Sequence, residues 1–179
     1  MDNAKKLLIE SLKKWQHDIK KFKPTAPQVF KINSSILDDP TKINEFLKNL
    51  KRIDGSCIYR LLIQNKKHCA LIKEEFDSFQ IDNKPKEKGI KRHVPRFMEK
   101  ESECLYVGSK RENIEQRIKQ HLGYGTARTY SLDLKFWFPP KIEIVIEIYS
   151  VKLDNDLLVA LEQKMWANSL PMFGKQSGL

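Results

Sequence analysis

The chain is poor in cysteine, with only Cys57, Cys69 and Cys104 among its 179 residues. Because the number is odd and no two of them have Cys-x-x-Cys spacing, the pattern argues against a disulfide framework and a zinc ribbon. We expect three buried, reduced thiols, the usual state of such cysteines inside cells.

Long apolar runs are also missing. The chain begins Met-Asp-Asn-Ala-Lys-Lys, and no stretch long enough to cross a bilayer follows. The pattern of a secretory leader is absent as well, so we expect a cytoplasmic protein that does not span a membrane.

Acidic residues are outnumbered: 23 Asp and Glu stand against 33 Lys and Arg, which gives a net charge of +10 and a pI near 9.4. This excess favours a nucleic acid or another anionic surface as partner, although many basic proteins bind nothing specific. A hydrophobic content of 40% is that of a globular protein with one core of ordinary size.

Strand patterns occur in three places. Residues 55–63 are rich in β-branched and aromatic side chains, and Tyr59 shares a face with Cys57, Leu61 and Ile63. The segment 104–108 contains a second tyrosine, and residues 142–149 place an isoleucine at every other position. We predict a small antiparallel sheet of about three strands.

Helical spacing marks the segments between these strands. The predicted helices cover residues 2–22, a stretch after Asp39-Pro40, a stretch from Cys69 to Phe79, and a last helix capped near Asp154 or Asn155. The first is amphipathic and basic. We expect it to pack on its own domain, and a membrane surface or a partner is the alternative. The fold class is therefore α+β, with a helical N-terminal extension over residues 1–52 and a core domain over 53–179.

A further helix follows the second tyrosine. Ser109 is a favourable N-cap and Glu112 completes a capping box, so the helix is predicted to begin there and to end at Gly123. Arg117 and His121, one turn apart, lie beside the apolar stripe formed by Ile114, Ile118 and Leu122. A guanidinium held beside packed side chains suits the oxygens of a phosphodiester, whereas isolated basic residues on helices are usually just solvated.

Taken in order, these motifs resemble those of the GIY-YIG nuclease family over roughly residues 53–179. Cys57-Ile-Tyr59 stands at the first motif and Tyr106-Val-Gly108 at the second. Arg117 and His121 occupy the helical positions of the family, and Glu162 stands at its metal-binding glutamate.

The chain departs from the family pattern at three points. Cys57 replaces a glycine, and Gly174 lies where an asparagine is usual, with Lys175 as a possible substitute. Tyr59 and Tyr106 are about 47 positions apart, too far for a hairpin, which implies an insertion at about residues 65–101.

The resemblance implies metal-dependent hydrolysis of a DNA phosphodiester bond. Glu162 would hold one Mg²⁺ or Mn²⁺, Tyr59 would act as general base and Tyr106 would orient by its hydroxyl. Arg117 would offset charge on the phosphate, and His121 would accept a proton from Tyr59 or from water. Glu162 also shares a helix face with apolar residues and so needs a partner, either a divalent cation or, as the alternative, Arg117.

Basic residues outside this set are predicted to contact DNA. They are Lys91, Arg92, Arg96, Lys110, Arg111 and Lys175. The first three belong to a basic stretch of the insertion that also contains Lys84, Lys86 and Lys88, and a merely solvated loop is an equal alternative there. For the whole chain, two other functions stay open: a non-catalytic nucleic-acid-binding protein on the nuclease scaffold, and a membrane-surface adaptor.

Overall fold

A computed structural model describes residues 1–83 and 91–175 and shows an α+β fold. Within these ranges, four strands form one antiparallel sheet in the order β1-β4-β2-β3. The strands are β1 Gln28–Asn33, β2 Cys57–Ile63, β3 Cys104–Lys110 and β4 Glu143–Ser150. The helices are α1 Asp2–Lys21, α2 Pro40–Lys48, α3 Cys69–Asp82, α4 Ile114–Lys119 and α5 Asn155–Ser169. In the described part of the chain, no helix combines the length and the apolar character needed to cross a membrane.

The predicted antiparallel sheet is confirmed, but it has four strands and not three. The additional strand is β1, which pairs along the outer edge of β4 from Gln28 opposite Ile148 to Asn33 opposite Glu143. Only Ile32 of its six residues is buried, so its apolar pattern is weak. The extension predicted as helical over residues 1–52 therefore contributes a strand to the sheet.

Helix α2 forms where the sequence predicts it. The side chain of Asp39 accepts hydrogen bonds from the backbone N–H groups of Thr41 and Lys42, at 3.0 and 3.1 Å, and Pro40 occupies the first turn, where its missing N–H costs nothing. Ile43 and Leu47 are buried against the core.

The inserted segment contributes α3, whose Ile72 and Phe76 are buried as predicted. The Phe76 ring lies 4.9 Å from that of Trp137 and 4.8 Å from that of Phe173, in edge-to-face geometry. This cluster fixes the start of the insertion on the core. Lys84, Lys86 and Lys88, predicted to contact DNA, lie outside the described residues.

Helix α1 forms as predicted, but its apolar residues stay largely uncovered by the described part of the chain. None of its residues is buried, and Leu8, Leu12 and Ile19 are each more than half exposed. Its second half contacts the rest of the chain, because Lys14 pairs with Asp154 at 3.0 Å, and Phe22, the residue after the helix, packs beside the sheet.

Candidate active site

The two motif tyrosines meet because β2 and β3 pair directly. Tyr59 lies opposite Gly108, its side chain is 1% exposed, and its ring lies 6.2 Å from that of Tyr106. A Cβ atom at position 108 would stand 2.5 Å from Tyr59 Oη. Glycine is therefore required at 108 because any side chain there would displace the buried phenol.

Arg117 and His121 both reach the Tyr59 hydroxyl. The stripe of Ile114, Ile118 and Leu122 is fully buried, as predicted, and turns this side of α4 towards the sheet. Arg117 Nε donates to Tyr59 Oη at 3.0 Å, and His121 Nε2 lies 2.9 Å from the same oxygen. His121 itself lies in a π-helical turn, Gln120–Tyr124, which continues from α4.

Sequence reasoning placed the start of this helix too early. Ser109 does not cap it, because Ser109 and Lys110 are the last residues of β3, and the helix begins at Ile114 after Asn113, which has φ +57°. Strand pairing outweighs the local capping pattern here. The predicted end at Gly123 agrees with its φ of +101°, a conformation that favours glycine.

The hydrogen bonds of His121 define its tautomer. The backbone N–H of Leu132 donates to His121 Nδ1 at 3.2 Å, so Nδ1 is unprotonated. Burial lowers the pKa of His121 well below 6.5, and the charge of Arg117 lowers it further, so the ring is neutral. Its proton is then on Nε2 and is donated to Tyr59 Oη. The geometry thus reverses the expected role of His121, which donates to the phenol and has no free nitrogen to accept its proton.

Tyr59 Oη consequently accepts two hydrogen bonds, from Arg117 and from His121. Burial raises the pKa of the Tyr59 phenol well above 10, while the charge and hydrogen bond of Arg117 oppose this rise. The pKa of Tyr106 is raised for the same reason, again opposed by Arg117. Both phenols are therefore neutral at rest, and the two donors stabilise a phenolate on Tyr59 once one forms.

Glu162 lies on α5, which packs on the other face of the sheet and reaches the edge strand β3. The hydroxyl of Ser109 donates to its Oε2. Burial is the main cause of the raised pKa of Tyr59 and Tyr106, and the negative charge of Glu162 adds a smaller contribution to both. Within the described residues, no ion pair joins Glu162 to Arg117, so the salt bridge considered as an alternative is not formed, and Ser109 is the partner that the sequence did not reveal.

A cation at Glu162 would have a single protein carboxylate. In the part of the chain that the structure describes, no group of three or more His, Cys, Asp or Glu side chains could hold a metal ion. Mg²⁺ commonly keeps several waters and takes further oxygens from phosphate, so one partly buried carboxylate oriented by Ser109 fits such an ion in an open site.

The residues predicted to contact DNA fall into two groups. Lys91, Arg96 and Lys175 are exposed and line an open cavity of about 630 Å³. Arg92 lines it too, but its guanidinium pairs with the buried Asp133 at 3.1 Å, so its charge is compensated. Cations such as the first three remain available to an anionic ligand.

The other two predicted contacts lie elsewhere. Lys110 is an exposed residue at the end of β3, and Arg111 Nε donates to Asn155 Oδ1 at 2.7 Å, at the start of α5. At the C-terminal motif, Gly174 has φ +108° and its N–H donates to the carbonyl of Arg96 at 2.9 Å. Such a backbone strongly favours glycine over asparagine.

Tyr130 belongs to the site although the sequence pattern did not reveal it. Its carbonyl accepts from Arg117 Nη1 at 2.9 Å, and the residue lines the cavity and is 44% exposed. It lies in a connecting segment without periodicity, where no pattern distinguishes one residue from its neighbours.

Comparison of the chain with protein-family models, with curated proteins and with solved structures finds no match in any of the three. The resemblance to GIY-YIG nucleases therefore stays a prediction from the sequence, and function has to be inferred from the geometry around Tyr59.

Proposed function

We propose that this protein is a metal-dependent endonuclease that hydrolyses phosphodiester bonds in DNA. The observation that supports this best is the surroundings of Arg117. It hydrogen-bonds Tyr59, Gln120 and the Tyr130 carbonyl, and within the described residues it has no carboxylate partner. A partly buried, uncompensated guanidinium suits an anionic substrate, and its planar fork matches the oxygens of a phosphodiester.

Tyr59 is the proposed general base. Because Tyr59 is a neutral phenol at rest and His121 has no nitrogen free to accept its proton, the phenol first releases its proton to water. The oxygen of the attacking water then bonds to phosphorus while the proton of that water passes to the phenolate oxygen of Tyr59. The leaving oxygen departs with the electron pair of its bond to phosphorus and takes a proton from water. Arg117 and His121 stabilise that phenolate by the two hydrogen bonds they donate. Arg117 also offsets the charge that develops on the phosphate.

Glu162 is the proposed ligand of Mg²⁺ or Mn²⁺. When bound, the cation supplies positive charge to the attacking water and to the phosphate oxygens. The Ser109 hydroxyl orients the carboxylate of Glu162 for this task. Because DNA is the proposed substrate, we also place the protein in the cytoplasm, and its three buried free thiols fit a reducing compartment.

The alternative is a nucleic-acid-binding protein without catalysis. Its support is the burial of Tyr59, which is 1% exposed, since a general base has to reach the water it activates. The two functions share the basic surface and differ in whether a bond is broken.

A plasmid assay separates them. Supercoiled DNA is incubated with the protein in Mg²⁺ or Mn²⁺, with and without EDTA, and binding is measured in parallel. We expect cleavage only with metal, and we expect Glu162→Gln to bind DNA without cutting it because a hard cation needs the lost charge.

Glu45→Gln, which changes an exposed carboxylate on α2, is the matched control and should cut normally. Binding without cleavage under every metal condition would support the non-catalytic alternative. A Glu162→Gln protein that cuts at the wild-type rate would refute the metal assignment.

A further inference from the structure

The open cavity beside Arg117 has no part in the hydrolysis itself. Arg117 donates to the carbonyl of Tyr130, and Tyr130 is one of the residues that line the cavity. Its volume of about 630 Å³ lies within the range of small-molecule sites. Tyr130 therefore connects this cavity to Arg117.

The exposed lining of the cavity is cationic. Lys91, Arg96 and Lys175 stand around it, and among the described residues that line it there is no Asp or Glu. Three exposed cations without a carboxylate favour an anionic ligand, and the phosphates of a nucleic acid backbone are such anions.

The cavity also presents flat surfaces. Tyr130 is an aromatic residue that is 44% exposed. Arg92 lies 3.4 Å over the centroid of the Phe136 ring, and Asp133 compensates its charge. Arg92 is thus held as a flat guanidinium plane, and its contribution to a ligand is stacking more than attraction. Phe76 and Phe97 are apolar members of the lining.

We propose that this cavity takes an unpaired nucleotide next to the cleaved phosphodiester, so that the DNA substrate is single-stranded or locally unpaired at the cut. This inference depends on the proposed function for its substrate. In a duplex the base faces are stacked on one another, and only phosphates and groove edges are accessible. Free cations alone suit either form of DNA, whereas an exposed tyrosine and a partly buried guanidinium plane beside them suit bases that have left the stack.

The test is a binding measurement that does not require cleavage. Fluorescence anisotropy compares one labelled strand with the same strand in a duplex, in EDTA and at a single salt concentration. We expect the wild type to bind the single strand about tenfold more tightly or better, and Tyr130→Leu to lose about tenfold of that affinity without weakening duplex binding.

Tyr130→Phe is the matched control because it keeps the ring, and both variants keep the carbonyl that holds Arg117. Thermal denaturation verifies that each variant is folded. Equal or tighter binding of the duplex, or a Tyr130→Leu protein with wild-type affinity for the single strand, would overturn the proposal. Single-strand binding without metal-dependent cleavage would instead overturn the proposed hydrolysis and leave this inference standing.

Discussion

Two arginine-tyrosine clusters lie back to back on strand β2, and they differ in how the positive charge is compensated. Tyr59 and Arg60 are neighbours in the chain and point to opposite faces of the sheet. On one face, Arg60 donates to Glu147 through Nε, at 2.9 Å, and through Nη2. The hydroxyl of Tyr149 donates to the same carboxylate at 2.9 Å.

On the other face, Arg117 donates to Tyr59, and no carboxylate completes the pair within the described residues. The Tyr59 hydroxyl accepts from Arg117 and from His121, whereas the Tyr149 hydroxyl has an anion to donate to. The first arrangement is neutral overall and complete without a ligand, and the second has an excess positive charge beside a phenol oxygen. Within the described residues, the two arginines therefore differ in their partners: a carboxylate compensates the charge of Arg60, and none compensates that of Arg117.

The largest effect is expected from a mutation that removes the uncompensated charge beside Tyr59. Arg117→Ala should lower the rate of DNA cleavage by about 10²-fold or more, because it removes a positive charge from the transition state. The fold should be retained, since the stripe that packs α4 is untouched. Single-turnover cleavage and circular dichroism on one preparation measure both. Cleavage at the wild-type rate would show that Arg117 does not act on the phosphate.

A mutation in the compensated cluster of Arg60 and Glu147 should lower stability and leave cleavage unchanged. Arg60→Ala leaves the partly buried Glu147 without its positively charged partner, with only the Tyr149 hydroxyl still donating to it, and we expect the free energy of unfolding to fall by about 2 kcal/mol. Cleavage per folded molecule should be unchanged. Urea denaturation gives the stability, and a double-mutant cycle with Glu147→Gln isolates the pair. An Arg60→Ala protein that is fully stable but inactive would remove the distinction between the clusters.

His121 makes the stability of the Tyr59 cluster sensitive to pH. Its folded pKa is lowered below the unfolded value of about 6.5, so protonation favours the unfolded chain. The stability that the neutral ring contributes is complete above that pH and is lost as the pH falls, by up to about 1.4 kcal/mol per pH unit. Urea denaturation of wild type and His121→Gln between neutral and mildly acidic pH should show a shallower pH dependence in the variant. Parallel curves would contradict the neutral, buried histidine.

The smallest expected effect concerns the cavity cations. Lys91→Gln and Arg96→Gln should each lower the slope of log affinity against log salt by about 0.7 on a single strand, if each residue contacts one phosphate. Cleavage at saturating DNA should be little changed. Lys48→Gln, an exposed lysine of α2 outside the cavity, is the matched control. Unchanged slopes would mean that these cations are only solvated.

Periodic patterns made most of the fold predictable. The isoleucines of β4 and the stripe of α4 are buried because their spacing matches the period of their element. Strand β1 was missed because one buried residue, Ile32, gives no repeat. The helix start at Ser109 was wrong because its strand pairs with β2 and its hydroxyl binds Glu162, 53 positions away, which no local pattern encodes.

The residues of the candidate site were easier to predict than their protonation and hydrogen bonds. Tyr59, Arg117 and His121 come together as the motif order suggests, but the tautomer of His121 depends on the backbone of Leu132, in a segment without periodicity. Tyr130 and Asp133 belong to the same segment and were missed for the same reason. Local patterns place side chains on a face, and long-range hydrogen bonds decide what those side chains do.

The central claim is that the Tyr59 phenol, with its two donors and no carboxylate, is the reactive member of the two clusters. Its most direct test is metal-dependent cleavage of a labelled DNA strand by Tyr59→Phe and by Tyr149→Phe, with each rate divided by the folded fraction. Both changes remove one hydroxyl and keep the ring. The account predicts that Tyr59→Phe loses cleavage by about 10²-fold or more while Tyr149→Phe cuts like the wild type. Wild-type cleavage by Tyr59→Phe would contradict it.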